Sequence, residues 1–368
     1  MAKKKEKFNF NKKSLIAFIL LSIFVVSMLL IFKAPIERVL NKNVNIIDFD
    51  GLVMHTIDVG QAEAIMIKLP DGKNMMIDSG NSGKEKNKKL KSYLDNNYFK
   101  NLSNKEIDYF VLTHSDRDHT GGAEMIFREF QVNTVFRPTI FSSINEQDKL
   151  RMLSSDSFTS NTQIWSDVVD AMYEEPNCEI LFSNIEIKII ESEYEIEFLS
   201  PKLDSKFKNV NSYSPFIKIT YKSKSILLTG DSTEESEMSA LDNLSKVDIL
   251  NVGHHGSKTS TSQKFLDKTM PTYATISCNS EDGNNFGHPH QEVLNRLLKI
   301  MPEKNIYRTD INGNIITTIS KSGEIGFLVD VESNSYYIKI EYLIVSSVAV
   351  IFVICFACNK KSTKRNKK

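Results

Sequence analysis

The chain has 368 residues, with 46 Lys and Arg against 46 Asp and Glu, so its formal net charge is zero. That balance excludes a chain-wide basic surface as the means of holding nucleic acid, so any anion must be held by a local arrangement of groups. The charge is uneven, however, with both ends of the chain strongly basic.

Residues 1–13 are rich in lysine and lead into Ser14–Phe32, a run without charge. Spanning the hydrocarbon core of a bilayer takes about 20 apolar residues, so residues 14–32 read as a transmembrane helix. A cleavable signal peptide is the competing reading. The apolar core here exceeds the usual h-region of about 7–15 residues and no A-x-A site follows, which favours an uncleaved anchor. Residues 33–51 then form a linker.

The opening strands are predicted at Leu52–Ile57, Ala64–Leu69 and Asn74–Ile77, with Pro70-Asp-Gly72 turning between the last two. Lys84–Tyr98 fits a helix with Lys86, Lys88, Lys89 and Lys91 on a solvated face; a guide for an anionic polymer is the sharper alternative. Ile107–Leu112 is short, apolar and rich in β-formers, so it reads as a buried strand. The run His114-Ser-Asp-Arg-Asp-His119 follows, placing His114, Asp116, Asp118 and His119 in the loop at the strand's end. In an extended segment the side chains of 114, 116 and 118 point the same way, whereas Asp118 and His119 diverge. One loop can thus feed two neighbouring metal positions. Gly121 and Gly122 allow close backbone approach before a helix near Ala123. Residues 138–177 are polar, carry the sole tryptophan, Trp165, and read as a substrate-covering insertion. Glu179–Phe182, Ile185–Ile190 and Ile196–Leu199 follow as strands.

Ser225–Asp231 is an apolar strand ending in Gly230 and Asp231, and Val247–Ser257 is another ending in His254 and His255. Strand ends that each deliver Asp or His are the layout of a metal site assembled from distant sequence. Asp231 is the natural bridge between two cations; its competing role is an N-cap for the helix beginning around Ser232-Thr-Glu-Glu. Ser257, Lys258, Thr259 and Ser260 are phosphate contacts or a solvated loop. Tyr273–Ser277 is a further strand, with Cys278 at its end. His288, in Gly-His-Pro, is a general acid or a phosphate contact, or else a cap for the helix Gln291–Ile300. Cys178 and Cys278 pair or stay free. Residues 338–358 form a second apolar run, uncharged over Tyr342–Cys358, with Tyr336, Tyr337 and Tyr342 as interface anchors. A buried C-terminal helix competes, but the basic tail at 359–368 favours a second transmembrane helix. Positive flanks mark the cytoplasmic side, which puts both termini inside and the domain at 52–330 on the extracellular face of the cell membrane.

His55-Thr-Ile-Asp-Val-Gly-Gln61, Met76-Ile-Asp-Ser-Gly80, the His114 run, the strand to Asp231, Gly253-His-His-Gly-Ser257, Gly287-His-Pro289 and Tyr307-Arg-Thr-Asp-Ile-Asn-Gly313 occur in this order. On these motifs the chain resembles the metallo-β-lactamase superfamily. More narrowly it is similar to the soluble hydrolase domain of the ComEC family, the DNA-uptake channel proteins of bacterial competence. The resemblance covers roughly residues 52–330. It implies an α/β fold, an αββα sandwich with metals at one edge, and metal-dependent hydrolysis.

One departure bears on the chemistry. Asp116 stands where the superfamily's H-x-H-x-D-H motif has its second His, a replacement shared by the ComEC-like branch. The superfamily's third His of the first site is also missing, since Asn209-Val-Asn-Ser-Tyr-Ser-Pro215 contains none. The resemblance thus implies His114, Asp116 and Asp231 at a first metal, and Asp118, His119, Asp231 and one His of the 254/255 pair at a second. His254, coming first after the strand, is favoured. Two divalent metal ions, Mn²⁺ or Zn²⁺, are expected, and the oxygen-rich first site tilts the preference toward a hard ion. Asp118 is expected to orient the attacking water as well as bind metal. Two functions follow: a membrane-anchored phosphodiesterase acting on single-stranded DNA or a phosphorylated wall polymer, or a regulatory module without turnover. ComEC relatives carry a many-helix channel on the same chain; with two expected spans, an uptake role here needs a membrane channel partner.

Overall fold

The structure, a computed structural model, describes residues 49–100, 105–152, 155–279 and 285–330. Both expected membrane spans and both basic ends lie outside these residues. Among the described residues no helix is long and apolar enough to cross a membrane.

Two sheets face each other. In the first, β1 (Gly51–Thr56), β2 (Ile65–Lys68) and β3 (Asn74–Ile77) run antiparallel, and β4 (Glu106–Val111), β5 (Gln131–Arg137) and β8 (Glu179–Phe182) continue parallel from β3. β16 (Ile315–Ser320) and β17 (Ile325–Val329) close its other side, beside β1. In the second sheet, β9 (Lys188–Ile190), β10 (Tyr194–Ser200), β11 (Phe216–Tyr221) and β12 (Lys224–Leu228) are antiparallel. β13 (Ile249–Asn251), β14 (Tyr273–Ile276) and β15 (Ile306–Arg308) then add parallel to β12. A short pair, β6 (Ile140–Ser142) and β7 (Phe158–Ser160), stands apart.

The two-residue period of a strand explains the layering. Ile65 and Ile67 of β2 face inward between the sheets with Ile196, Ile217 and Ile226 of the second sheet, whereas Met66 faces out. The outward side chains of the first sheet meet Leu90 of α1 (Lys84–Tyr93), Ile126 and Phe127 of α3 (Ala123–Glu129), and Trp165, Val168 and Val169 of α5 (Gln163–Glu174). On the far side, Leu227, Leu250 and Ala274 meet Ala240 of α6 (Glu234–Ala240), Phe265 and Leu266 of α7 (Gln263–Thr269), and Val293 and Leu297 of α8 (Gln291–Leu298). The outcome is the αββα sandwich. Each such fully buried Leu, Ile or Phe contributes about 1.5–3 kcal/mol.

Two local expectations change, and the state of the two cysteines is settled. Residues 138–177 are not a cover: Trp165 is fully buried, and α5 completes a helical layer with one apolar face. The segment looks polar because the other face of α5 and the turn of α4 (Glu146–Arg151) are wet. The expected strand at 185–190 is extended only over Lys188–Ile190. Cys178 and Cys278 are both free thiols.

Candidate metal centre

Most residues of the candidate centre leave the carboxyl ends of parallel strands, where an open α/β sheet offers its crevice. Asp78 follows β3, His114 follows β4, Asp231 follows β12, and His254 and His255 follow β13. After β4 the chain stays extended through Asp116 and then turns helical in α2 (Arg117–Thr120). Asp118 therefore does not continue the line of 114 and 116; it and His119 sit on a helical turn aimed at the second cluster described below. Gly121 permits this turn, since a Cβ there would lie 2.0 Å from the backbone nitrogen of Ser82. Gly230 holds φ +47° just before Asp231, and a Cβ on it would meet the Thr113 side chain at 2.9 Å.

Hydrogen bonds orient each imidazole. Asp78 is buried and acts only as an acceptor: Thr113 donates its N–H at 2.9 Å and its hydroxyl at 2.7 Å, and His119 donates Nδ1–H at 2.6 Å. With its proton given to Asp78, the Thr113 hydroxyl must accept from His114 Nδ1, 3.0 Å away. His255 donates Nδ1–H to the Ser277 carbonyl at 2.8 Å. In all three rings Nδ1 is the nitrogen turned to the protein's own acceptors, which leaves Nε2 to offer a lone pair where a cation takes the place of its proton. This is how outer partners fix the tautomer of metal-binding histidines.

Those lone pairs converge on Asp231. Its Oδ1 lies 3.1 Å from His119 Nε2 and 3.6 Å from His255 Nε2. Asp118 Oδ2 joins them, 3.4 Å from His255 Nε2. Asp231 Oδ2 faces the other way, 4.0 Å from His114 Nε2 and 3.5 Å from His254 Nε2. Asp116 Oδ2 lies 3.7 Å from His114 Nε2 at the exposed rim. His114, His119 and Asp231 form one group with metal-ligand spacing, and Asp118, His119 and His255 another. His114 Nε2 and Asp231 Oδ1 are buried without a hydrogen-bond partner. Orphaned buried groups of this kind are costly unless something else satisfies them, and a divalent cation fits this donor set of imidazole nitrogens and carboxylate oxygens.

The electrostatics agree. Burial pushes the Asp231 carboxyl up, but His119, His255 and His254 outweigh it and hold the group well below the usual carboxylate range. Burial opposes protonation of His255, yet Asp231 and Asp118 raise it to about 9. His119 is likewise raised, against burial, by Asp231 and Asp78. The acidic cavity demands positive charge, which protons or metal ions supply in competition.

The imidazole beside Asp118 and His119 is thus that of His255, not the favoured His254. Both residues hold φ 53°, and their Nε2 atoms lie against different oxygens of Asp231, Oδ2 for His254 and Oδ1 for His255. Asp231 does not cap a helix; Thr233 caps α6 through a capping box with Ser236. His288 does not cap α8, whose N-cap is His290. It is buried beside the centre, with its ring 5.6 Å from that of His254 and 6.2 Å from that of His255. Gln61 Oε1 accepts from the Asn279 N–H at 3.1 Å, so its amide nitrogen faces His288 Nδ1 at 3.3 Å. Burial, then His255 and His254, lower His288 to about 4. Ser257 and Ser260 are buried and used internally, which leaves Lys258 and Thr259 on the surface of that loop.

Glu63 has no counterpart among the sequence expectations. It is 1% exposed with Oε1 unpartnered, and burial raises its carboxyl to about 7 against the pull of His119. Its backbone N–H binds the Asp118 carbonyl at 3.1 Å, tying the β1–β2 connection to the metal loop. The sequence signal was a charged residue between Ala62 and Ala64 in an apolar stretch.

The sequence profile of the Metallo-beta-lactamase superfamily matches residues 57–280. ComE operon protein 3 of Bacillus subtilis is 30% identical over 214 residues, covering 57% of this chain and 24% of that protein. Recombination protein 2 of Haemophilus influenzae is 29% identical over 245 residues, covering 66% and 26%. Competence protein ComA of Neisseria gonorrhoeae is 32% identical over 139 residues, covering 35% and 18%. The chain therefore spans about a quarter or less of the length of these relatives. Among solved structures, the metallo-beta-lactamase fold protein YhfI of Bacillus subtilis aligns with TM-score 0.41 at 11% identity over 75% of this chain and 99% of that one. With the αββα sandwich, the paired acidic and imidazole clusters and the profile match over most of the domain, the chain belongs to the metallo-beta-lactamase superfamily, and its relatives are ComEC-family competence proteins.

Proposed function

We propose that the protein is a membrane-anchored phosphodiesterase with two divalent metal ions, acting outside the cell on single-stranded DNA or another phosphodiester polymer. The observation that carries this reading is Asp231, whose Oδ1 faces the imidazoles of His119 and His255 and whose Oδ2 faces those of His114 and His254, beside two groups with metal-ligand spacing that share His119. Mn²⁺ or Zn²⁺ held there would lower the pKa of a bound water and neutralise charge on the phosphate. His114, Asp116 and Asp231 would hold one ion, and Asp118, His119, His255 and Asp231 the other. The side chain of Asp118 is 30% exposed, so a carboxylate oxygen is within reach of solvent to accept a water proton and orient the attack. His288 donates Nε2–H to a phosphoryl oxygen of the bound substrate.

The carboxylate at position 116 favours hard ions and oxygen-rich substrates. The names of the relatives, competence and recombination proteins, favour DNA among phosphodiesters. The basic flanks of the two apolar runs support an anchored domain on the extracellular face.

The test is hydrolysis by the detergent-solubilised full chain, stripped with chelator and reloaded with one metal at a time. Bis-p-nitrophenyl phosphate, single-stranded DNA and a β-lactam are the substrates. Phosphodiester cleavage restored best by Mn²⁺ supports the reading. Zinc-only cleavage of the β-lactam overturns it. Metal binding with no turnover of any of them would instead favour a regulatory module.

A further inference from the structure

We infer that Phe286 is a stacking platform for a base of the bound strand, so that the substrate is a single-stranded nucleic acid and not a polyol-phosphate wall polymer. This rests on the phosphodiesterase reading above and adds a specificity-determining residue to it. Phe286 lies on the turn that leads through Gly287 into His288, and it is 67% exposed. Among the described residues it is the only aromatic side chain that stands so far into solvent. The other strongly exposed large apolar side chains are all Ile, Leu or Met.

Two features separate Phe286 from a stray surface side chain. First, its ring is stacked on that of His288, with centroids 5.6 Å apart and planes at 22°. The His288 ring is in turn stacked on that of His255, at 6.2 Å and again 22°. Near-parallel rings thus run outward from the candidate metal centre and end at Phe286. With one face against His288, Phe286 turns its other face to solvent, where a further planar group extends the stack. Aromatic pairs favour such offset contact at centroid distances of about 4.5–7 Å. Every nucleobase has a π-face to offer, whereas a polyol phosphate chain has none. Second, Lys258 lies on the same rim. Its backbone N–H meets His290 Nδ1 at 3.2 Å, and the His290 ring packs 4.8 Å from that of His288. The Lys258 side chain is exposed, so its ammonium can reach a phosphate of a strand lying along the rim. An aromatic face beside a cation is the means by which single strands are held without regard to sequence.

The experiment compares a fluorescent single-stranded oligothymidylate with an oligomer of equal length built of abasic sugar phosphates, so that charge is matched and only the bases differ. Binding to the detergent-solubilised full chain is read by anisotropy in chelator, and KM is read in Mn²⁺. Wild type is expected to bind the oligothymidylate more tightly than the abasic strand. Phe286→Ala should weaken that binding and raise KM about 5–30-fold, or about 1–2 kcal/mol, the lower part of the range for one stacked base. Abasic binding and metal content should stay as in wild type, and Phe286→Trp should restore the preference. Stacking releases no counterions, so the slope of log K against log salt should be unchanged in Phe286→Ala; in Lys258→Ala it should fall in magnitude by about 0.7. No preference of wild type for the base-bearing strand, or an equal effect of Phe286→Ala on both strands, would overturn the stacking role and leave the phosphodiesterase reading standing. Base-dependent binding that Phe286→Ala removes, with no phosphodiester cleaved by wild type, would sink that reading and leave the stacking role in place.

Discussion

Asp78 receives Nδ1–H of His119 at 2.6 Å, with both groups fully buried. The same carboxylate takes two hydrogen bonds from Thr113 and through it fixes His114. A group that touches no candidate metal position thus sets the direction of two imidazoles. Asp78→Asn places an amide N–H₂ against donors only. Metal affinity should fall about 10–100-fold, and the unsatisfied donors should cost about 1–3 kcal/mol. Metal titration followed by urea unfolding of the chelated protein measures both; unchanged affinity would show that Asp78 has no positioning role.

Asp231→Ala should abolish hydrolysis and reduce bound metal, while the metal-free protein keeps its circular dichroism spectrum. Without the bridging carboxylate the two clusters lose their shared ligand, and the cations repel each other. Near-normal turnover with two retained ions would refute the bridging role.

Metal removal should expose a pH dependence. In the metal-free protein His255 is raised to about 9, with burial opposing and Asp231 and Asp118 prevailing. A folded-state pKa above the unfolded value near 6.5 means that the protonated ring stabilises the fold below pH 6.5. That stability is lost as pH rises through 9. Thermal unfolding of the chelated protein should therefore fall in Tm between about pH 6.5 and 9, and the slope should vanish in saturating metal, where ions replace the protons. A flat profile in both states would contradict this.

Arg137 is fully buried, donating to both oxygens of Asp148 at 2.7 and 2.9 Å and to the Ile140 carbonyl at 2.7 Å. Its guanidinium packs near the rings of Phe141, Trp165 and Phe182. Arg137→Met leaves the buried Asp148 carboxylate without a counter-charge, with the Ser142 N–H and the Tyr173 hydroxyl still donating to it, so the loss should be about 3–5 kcal/mol. Urea denaturation checks it, and a loss under about 1 kcal/mol would mean that Asp148 finds other partners.

If the proposed topology holds, protease added to intact cells should remove the central domain and spare both termini. Cleavage of the termini with a protected domain would invert the topology.

Much of the centre was legible because its residues end strands. β4, β12 and β13 are short apolar runs, and an Asp or His directly after each is conspicuous. Asp78 obeys the same rule after β3, yet one carboxylate after Met76-Ile77 carries no metal-ligand spacing, so its role stayed hidden. The choice between His254 and His255 was not legible. It depends on a backbone reversal at positive φ that only Gly256 hints at. Glu63 was missed because its chemistry comes from burial between two loops far apart in sequence. Residues 138–177 misled because polarity was averaged over a helix whose apolar stripe, Trp165, Val168, Val169 and Met172, packs inward. The expected membrane spans lie outside the described residues.

The central claim is that one carboxylate, Asp231, joins two metal ions. Anomalous diffraction from crystals of the Mn²⁺-loaded protein tests it most directly. The account predicts two peaks about 3.5–4 Å apart, one on each side of the Asp231 carboxylate. A single peak away from Asp231, or no peak at all in saturating Mn²⁺ or Zn²⁺, would contradict it.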